Sequence, residues 1–358
     1  MNYESRIVNY SFFMKKIFII LILIPITSLG VYFYYINTPA NKDGAEVNFA
    51  IAKGEGVNQI SVNLKEAGLI KSKFFFETYA WLEKVESKFK TGSYTLSQKQ
   101  DIKEITKALI SGKSGEEQTM KILEGWTSKD VAEYLEKESI AKSDEFYNMI
   151  GHPHVDYRKS KLPKPKDFSS EFGFLKDKPA HYGLEGFLFP DTYRIFKGAT
   201  TEDVVRKMLS NFDKKLTPEM RDEIKRQGKT IYDVIIMASI VEKEVRTEKD
   251  MKVVAGIFWD RLKIGQAFQS DAGLSYALDD NVAAHSGKDL ELDSPYNMYK
   301  YKGLPPTPIS NSGVAAIKAA IYPTYTDYNY FLNKPDTGET VFSVTYEEHL
   351  RNKYKYLK

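Results

Sequence analysis

The chain has 358 residues, of which 42% are hydrophobic and 28% charged, with 51 lysine and arginine residues against 48 aspartate and glutamate residues. The length favours two folded units, and the composition excludes wholesale disorder, collagen-like repeats and a polytopic membrane protein. A net charge of +3 is too small for the concentrated basic surface that nucleic-acid binding needs, and the absence of cysteine excludes disulfide scaffolds, zinc–thiolate sites and iron–sulfur clusters.

The N-terminal part of the chain contains an uncharged apolar run, Ile17 to Ile36. A helix of this length, at about 1.5 Å per residue, matches the ~30 Å hydrocarbon core of a bilayer, so the run predicts one transmembrane helix. Because Arg6, Lys15 and Lys16 precede it, the positive-inside rule predicts that residues 1–16 are cytoplasmic. A cleaved signal peptide is the alternative, but the run exceeds the ~7 to 15 apolar residues of such signals and lacks a small-x-small site.

Aromatic residues at positions 32–35 end this run and would lie at the outer membrane interface, and a linker follows over residues 37–44. Alternating strand and helix patterns then predict a small α+β subdomain over residues 45–115. Its predicted elements are a strand over Glu46–Ile51, helices over Val57–Ala67 and Phe74–Lys84, a strand over Gly92–Leu96 and a helix over Ile102–Ile110. Two roles are open for this unit: a spacer that packs on its own small core, or a glycan-binding module.

A second, larger α+β domain is predicted over residues 118–358. Its predicted elements are a strand over Thr119–Leu123, a helix capped by Thr127 or Ser128, and helices over Thr201–Leu216, Pro218–Gln227 and Ile231–Glu244. Between them, residues 152–181 combine several prolines with a run of basic side chains and show neither helical nor strand periodicity. This segment therefore predicts a loop insertion whose charge run is solvated.

The helix predicted over Ile231–Glu244 is apolar on every face from Val234 to Val241, which predicts that it is buried all round. Glu244 continues an apolar stripe of this helix, so we expect its carboxyl to be partly desolvated. Desolvation raises a carboxyl pKa, and a glutamic acid that stays protonated near neutrality can act as a general acid. The alternative is a helix-terminal glutamate paired with nearby basic side chains. Glu242 lies about 200° away on the helical wheel and cannot point into the same cleft.

Three further stretches supply candidate cleft residues. Glu185 lies in an apolar and aromatic segment, where it is either a cleft acid or a hydrogen-bonded loop anchor. Gln269 and Asp271, and then Tyr296 and Asn297, lie in polar and aromatic loops rich in turn residues. Such side chains suit a neutral polyol ligand, whereas no P-loop, dinucleotide-binding glycine motif or helical histidine pair indicates a phosphate or metal site. The sequence implies no cofactor and no metal.

These segments together resemble the endolytic murein transglycosylase (YceG-like) family. Four blocks carry the resemblance, in the same order as in the family: Leu184 to Tyr193, Ala238 to Glu244, Phe258 to Asp271 and Ser294 to Pro306. Further matches reach the C-terminus. With the predicted N-terminal anchor and a LysM-like unit over residues 45–115, the resemblance covers essentially the whole chain.

The resemblance implies cleavage of the bond between N-acetylmuramic acid and N-acetylglucosamine in nascent glycan strands, without water, which leaves a 1,6-anhydro end and ends strand elongation. It implies that the catalytic residue is Glu244, the second glutamate of the Glu-Lys-Glu block. One carboxyl can suffice, because the acid that protonates the leaving oxygen can then accept the proton of the C6 hydroxyl. A hydrolase would be expected to use two carboxyls. The residues expected to position the glycan are Glu185, Gln269, Asp271, Tyr296 and Asn297.

The chain departs from the family pattern at five positions. Ala272 and Gly273 stand where the family usually has Pro-Thr, and Met298, Thr307 and Ser312 stand where it usually has threonine, glycine and proline. These changes leave the glutamates intact. They therefore bear on groove shape and subsite preference more than on the type of reaction.

We expect a single-pass cell-membrane protein with an exterior catalytic domain that binds peptidoglycan strands, lies near peptidoglycan synthases and binds no nucleic acid. Two alternatives stay open. One is a hydrolytic muramidase, and the other is a non-catalytic glycan-binding scaffold of wall synthesis. An intact Glu244 argues against the scaffold, because binding alone does not need a buried acid.

Overall fold

The computed structural model describes residues 24–25, 27–112, 117–196, 199–280 and 285–357. It is a mixed α+β structure, as the sequence predicted, and it divides into two compact units, Met1–Gln118 with Phe196–Ala199 and Thr119–Ile195 with Thr200–Lys358. The α-helices are α1 (Val57–Glu66), α2 (Lys73–Leu82), α3 (Ile102–Ser111), α4 (Ser128–Lys137), α5 (Ser143–Ile150), α6 (Thr201–Lys215), α7 (Pro218–Arg226), α8 (Ile231–Glu244), α9 (Glu248–Lys263), α10 (Ala272–Leu278), α11 (Val314–Ile321) and α12 (Tyr346–Tyr356). The strands are β1 (Glu46–Ile51), β2 (Gly92–Ser97), β3 (Glu117–Lys121), β4 (Thr192–Phe196), β5 (Tyr330–Asn333) and β6 (Thr340–Ser343), which form the two-stranded sheets β1–β2, β3–β4 and β5–β6.

The first unit is built around the antiparallel pair β1–β2, whose register runs from Glu46 opposite Ser97 to Ile51 opposite Gly92. Helices α1, α2 and α3 contribute buried side chains to the same apolar core as this pair. The predicted strands and helices of this unit are confirmed, with ends that differ by no more than about two residues, the usual uncertainty of helix boundaries. Ile36, near the end of the helical residues 27–37, is buried in this core as well.

The predicted transmembrane helix, Ile17 to Ile36, falls largely on residues 1–23 and 26, which lie outside the described residues. Residues 24–25 and 27–37 are helical. Within the described ranges, no helix combines the length and the apolar character needed to cross a bilayer. The membrane anchor therefore stays a prediction.

Short capping motifs fix where helices of the second unit begin. Thr127, Thr200 and Thr230 each accept a hydrogen bond from the backbone N–H three residues later, and the aspartate at that position accepts one in return. This reciprocal arrangement satisfies two N–H groups that a helix would otherwise leave unpaired. The cap predicted at Thr127 or Ser128 is confirmed at Thr127. Helix α8 starts directly after its cap at Thr230, and Glu244 is its last residue.

Helix α8 is the central helix of the second unit. Every residue from Val234 to Val241 is buried, and α9 and α11 pack against it. A polar side chain in such a helix needs a hydrogen-bond partner, because an unpaired buried hydroxyl is costly. Ser239 meets this requirement, since its Oγ donates to Ile236 O at 2.7 Å and accepts from Ile309 N at 3.0 Å. The predicted burial of α8 on every side is confirmed.

The predicted loop insertion is mostly irregular and contains one 3-10 turn, Gly173–Asp177. The basic side chains between positions 158 and 164 are exposed, which confirms the solvated charge run. The second half of the segment differs, because Phe168, Phe172 and Phe174 are buried. The segment therefore contributes aromatic side chains to the core of the second unit, which the interpretation as a plain surface loop did not predict.

Gly256 in α9 offers a test of the close packing around α9 and α11. The helix lies against the backbone at Thr324, whose N–H donates to Lys252 O at 2.9 Å. A Cβ on Gly256 would stand 2.4 Å from the Thr324 carbonyl oxygen. We expect Gly256→Ala to lower the free energy of unfolding by about 1–3 kcal/mol, the usual cost of overpacking, despite the better helix propensity of alanine.

Gly287→Ala is the matched control, because a Cβ at Gly287 meets no atom within 4 Å. Urea unfolding of the wild type and both variants measures the difference. If the two variants unfold with the same free energy, the close approach at Gly256 does not matter for stability.

Candidate active site

Glu244 is the last residue of α8 and lies half-buried where the core meets solvent. Its Oε1 accepts a hydrogen bond from the hydroxyl of Ser270. Ser270 is 3% exposed, and its Oγ also accepts from the Ala272 backbone N–H at 3.2 Å. The backbone at the start of α10 therefore orients the hydroxyl, and the hydroxyl orients the carboxyl.

The Glu244 carboxyl is tuned mainly by desolvation. Burial raises its pKa to about 7, the hydrogen bond from Ser270 lowers it, the charge of Asp271 raises it and the charge of Arg261 lowers it. At such a pKa, the acid and the carboxylate are both well populated at neutral pH. The desolvation predicted from the apolar stripe is confirmed, and the group can donate and accept a proton under the same conditions.

Asp271 and Tyr299 bring two of the predicted loops together beside Glu244. The Tyr299 hydroxyl donates to Asp271 Oδ1 at 3.0 Å. Burial raises the pKa of Tyr299 well above its usual value, and the charges of Asp271 and Glu244 raise it further. The phenol therefore stays protonated and available as a donor at neutral pH.

Arg261 and Gln269 hold the segment that carries Ser270. Arg261 is 7% exposed, and its guanidinium donates to Phe268 O and, at 2.7 Å, to Asn329 O. The backbone N–H of Gln269 donates to a carbonyl oxygen of the neighbouring loop at 3.0 Å, and its φ of 54° turns the chain at this point. The Gln269 side chain is exposed, so it is accessible to a ligand.

Glu185 is a second buried carboxyl, with 6% exposure, but its surroundings differ from those of Glu244. It accepts hydrogen bonds from Ser128 N at 2.9 and 3.1 Å, from Ser128 Oγ at 2.5 Å, from Tyr276 OH at 3.3 Å and from Asn311 Nδ2 at 3.4 Å. Burial raises its pKa to about 7, although the bonds from Ser128 and Tyr276 lower it. This geometry is that of a loop anchor, the alternative that the sequence left open, and direct contact with a glycan stays a prediction.

Tyr296 and Asn297 lie inside the loop that carries Tyr299. Asn297 is fully buried, its Nδ2 donates to two backbone oxygens at 2.9 Å each, and its Oδ1 accepts from Tyr299 N at 3.1 Å. Tyr296 is 4% exposed, and its hydroxyl shares a hydrogen bond with Thr307 Oγ1 at 2.9 Å. Both residues therefore shape the loop, and glycan contact by either one stays a prediction.

A cavity of about 560 Å³ in the second unit is lined by Lys243 and Ala272, among other residues. These are the sequence neighbours of Glu244 and Asp271, but neither of those two carboxylates lines the cavity itself. Its volume is within the range of small-molecule binding sites. Further lining residues come from α4 and its N-cap, from α5, from α10 and from the start of the loop insertion: Thr127, Lys129, Tyr147, His152, His154 and Tyr276.

His154 brings the loop insertion to this cavity. Its ring centroid lies 4.2 Å from that of Tyr276 and 5.3 Å from that of Tyr296. Burial lowers the pKa of His154, so the imidazole is mainly neutral at pH 7. Sequence reasoning missed this residue, because a segment without periodicity gives no indication of which side chains reach the cavity.

Ser270, Tyr299 and Ser128 carry contacts that the sequence analysis did not assign. Ser270 stands between the two predicted cleft residues Gln269 and Asp271, and this adjacency was the available signal. Ser128 binds a carboxylate 57 positions away in the chain, and no local pattern indicates such a pair.

Glu242 has a different hydrogen-bond partner from Glu244. Its Oε2 accepts a hydrogen bond from Gly313 N at 2.9 Å, and Gly313 is the N-cap of α11. The carboxyl thus lies at the positive end of a helix dipole. The prediction that Glu242 and Glu244 do not point into the same cleft agrees with these contacts, and Glu242 is held inside the fold.

Two of the positions that depart from the family pattern contact each other. A Cβ on Gly273 would stand 2.2 Å from the Tyr296 backbone oxygen and 2.8 Å from Met298 Cε. The Met298 side chain therefore occupies space that a threonine at position 273 would need. The Tyr296 backbone oxygen also blocks a side chain at position 273, so Met298 alone does not account for the glycine there.

The chain is similar along most of its length to proteins of one family. The YceG-like family model matches residues 49–355. A Bacillus subtilis (strain 168) protein named endolytic murein transglycosylase is 33% identical over 330 residues, which cover 89% of this chain and 87% of that protein. A protein of the same name from Streptococcus pneumoniae serotype 2 is 31% identical, and the match covers 94% of this chain but 64% of that protein. The crystal structure of a YceG-like protein from Listeria monocytogenes matches with a TM-score of 0.56 at 31% identity, over 87% of this chain and 100% of that one.

Ser270→Ala tests whether the serine hydroxyl tunes the buried acid. The hydrogen bond stabilises the carboxylate, so its removal should move the Glu244 pKa upward from about 7. The pKa is measured by a ¹³C NMR titration of glutamate-labelled protein, with Glu244→Gln to assign the signal. Ser275→Ala is the control, because Ser275 Oγ bonds with His285 Nε2 at 3.0 Å instead. An unchanged or lower Glu244 pKa in Ser270→Ala would contradict this role.

Proposed function

Because the chain belongs to the YceG-like family, we propose that it is an endolytic murein transglycosylase, a lyase that acts on the glycan strands of peptidoglycan. One observation carries the proposed mechanism. A glutamate carboxyl at the end of a buried helix is held by Ser270, has a pKa of about 7 and lies next to residues that line a cavity. This is the combination that general acid–base catalysis requires near neutral pH.

In the proposed reaction, Glu244 acts first as an acid and then as a base. The protonated carboxyl gives its proton to the glycosidic oxygen as the bond from that oxygen to C1 of N-acetylmuramic acid breaks. The carboxylate then takes the proton of the C6 hydroxyl of the same sugar, while the C6 oxygen bonds to C1 and forms the 1,6-anhydro end. No water is consumed and the carboxyl regains its proton. A pKa near neutrality suits both steps, because neither form is scarce.

We assign the residues nearest to Glu244 to positioning. Ser270 orients the carboxyl towards the bond that breaks. Asp271 raises the pKa of Glu244 through its charge and is itself held by the hydroxyl of Tyr299. Removal of Asp271 would therefore lower the pKa of Glu244, so less of this carboxyl would be protonated at neutral pH.

The other predicted cleft residues divide into one contact residue and three framework residues. Gln269 is exposed and is proposed to bind the glycan directly. Tyr296 and Asn297 are proposed to act through the loop that they shape, and Glu185 through the loops that it anchors. The cavity lined by Lys243 and Ala272 is proposed to take the sugar on one side of the bond that is cut.

The proposed topology follows the apolar run at residues 17–36. A single-pass anchor there, with residues 1–16 in the cytoplasm, puts the LysM-like unit over residues 45–115 and the catalytic domain over residues 118–358 outside the cell membrane. Nascent strands emerge at that surface. Peptidoglycan synthases are therefore the proposed neighbours.

Incubation of the full chain in detergent with uncrosslinked glycan strands, followed by mass spectrometry of the products, tests the proposal. We expect internal fragments that end in 1,6-anhydro-N-acetylmuramic acid. Glu244→Gln should keep the fold and glycan binding but lose about 10²- to 10⁴-fold in turnover, because an amide cannot donate the proton. Glu242→Gln is the matched control, since its amide oxygen can still accept from Gly313 N.

Any other result of this cleavage experiment would support a different function or a different role for Glu244. Reducing ends instead of anhydro ends would indicate a hydrolytic muramidase. Strands that bind but stay intact would indicate a glycan-binding scaffold. Loss of folding in Glu244→Gln would mean that Glu244 is structural, and equal loss of activity in both variants would remove the special role of Glu244.

A further inference from the structure

The first unit carries an exposed apolar face that the proposed reaction does not use. This face lies on α2, whose opposite side buries Phe76 and Ala80 in the core. Phe74 and Trp81 are each 64% exposed, and Leu82 is 51% exposed. Phe74 and Trp81 are seven residues apart and therefore lie on the same side of the helix. Grouped apolar side chains of this size indicate a contact surface.

The contacts between α2 and the helical residues 27–37 show which way the two helices run. The ring of Tyr34 lies 5.2 Å from Lys71 Nζ, just before α2 begins. Tyr35 stacks on Phe75 in the first turn of α2, with ring centroids 4.3 Å apart. Tyr32 lies farther upstream, and its ring centroid is 6.4 Å from that of Phe75.

Tyr32 also approaches the second half of α2. Burial raises the pKa of Tyr79 most. The charge of Glu83 and then that of Tyr32 raise this pKa further, so Tyr32 lies near Tyr79. Tyr32 and Tyr79 both pack against the core of the first unit. The two helices are therefore antiparallel, so a step upstream along residues 27–37 is a step towards the C-terminal end of α2.

The apolar run that predicts the membrane anchor lies upstream of these contacts. Among the residues of this run that the structure describes, Leu29, Val31 and Phe33 are 56%, 48% and 50% exposed. Such exposure is expected of side chains that face lipid rather than the protein core. The end of α2 that carries Trp81 and Leu82 therefore points along the chain towards the predicted bilayer. Tyr34 and Tyr35 contact the start of α2, so Trp81 and Leu82 lie beyond them, nearer to Tyr32 and the apolar residues that precede it. The sequence assigns Tyr32 to the membrane interface.

We propose that Trp81 and Leu82 enter the interfacial layer of the bilayer from which the chain emerges, so that the first unit rests on the membrane surface. The inference rests on the membrane anchor of the proposed function. Tryptophan suits this layer because its ring is apolar and its N–H is polar. Lys84 and Lys88 follow Trp81 in the chain and are exposed, so their amines can extend to anionic lipid phosphates.

This placement decides between the two roles that the sequence left open for the first unit. An exposed tryptophan is also a platform on which a sugar ring can stack, as in a glycan-binding module. The direction of α2 favours lipid, because a residue held at the membrane interface is occupied by headgroups. The first unit is then a membrane-seated spacer, and a glycan contact of Trp81 becomes an outcome that the test can detect.

The test uses the full chain reconstituted in phosphatidylcholine–phosphatidylglycerol vesicles whose acyl chains carry bromine near the headgroups. Bromine quenches tryptophan fluorescence at short range, and the chain has 3 tryptophans, Trp81, Trp126 and Trp259. We expect Trp81→Phe to remove most of the lipid-dependent quenching. Trp126→Phe, the matched removal of a tryptophan in the second unit, should retain it. The double variant Trp81→Phe, Phe74→Trp moves the indole by about 10 Å along α2, away from the bilayer, and should be quenched less than the wild type.

Flotation of the vesicles and cleavage of soluble strands are measured on the same samples. If the chain floats and cleaves strands but Trp81→Phe keeps full quenching, the inference fails while the proposed function stands. If the chain does not float, both the anchor and the inference fail. If soluble glycan fragments shift the Trp81 emission while brominated lipid does not quench it, the face binds glycan and the inference is overturned.

Discussion

Burial of α8 on every side is the constraint on which the site depends. Residues Val234 to Val241 exclude water, so the carboxyl of Glu244, which continues their apolar stripe one turn further along the helix, loses part of its hydration. Desolvation is accordingly the largest influence on Glu244 and raises its pKa to about 7, while the nearby charges of Asp271 and Arg261 act in opposite directions. The proposed proton transfer at neutral pH therefore depends on the packing of one helix, and Ser270 holds the carboxyl through a hydrogen bond.

The second unit has two desolvated carboxyls with similar pKa values, and their hydrogen bonds differ. Both Glu185 and Glu244 have pKa values raised to about 7 by burial. Glu185 accepts from Ser128, Tyr276 and Asn311, which occupy both oxygens. The one side-chain donor described at Glu244 is Ser270. Several donors hold Glu185 in place, whereas the proposed role of Glu244 needs a carboxyl oxygen that a substrate can reach. A raised pKa alone does not distinguish an anchor from a general acid.

Signals within a few residues of each helix made much of the fold predictable from the sequence. Contacts between residues far apart in the chain could not be predicted in this way. Threonine caps and helical periodicity predicted where α4 begins and that α8 is buried, because those signals lie within a few residues of the elements they specify. The position of His154 depends on how an aperiodic segment folds back, and the Ser128–Glu185 pair joins residues 57 positions apart. The close approach of Gly273 to Met298 likewise depends on the distance between α10 and the loop that carries Met298. Sequence reasoning therefore predicted the desolvation of Glu244, which its raised pKa confirms, but not the residues that hold it and its surroundings.

A pH–rate profile of kcat/KM for strand cleavage by the wild-type chain tests most directly whether one buried glutamic acid drives the reaction. The free enzyme must carry a protonated Glu244, so the rate should hold steady below about pH 6 and fall about tenfold per pH unit above pH 7. This fall follows from the pKa of about 7. A profile that falls instead between about pH 4 and 5, where an exposed glutamate titrates, would contradict the mechanism.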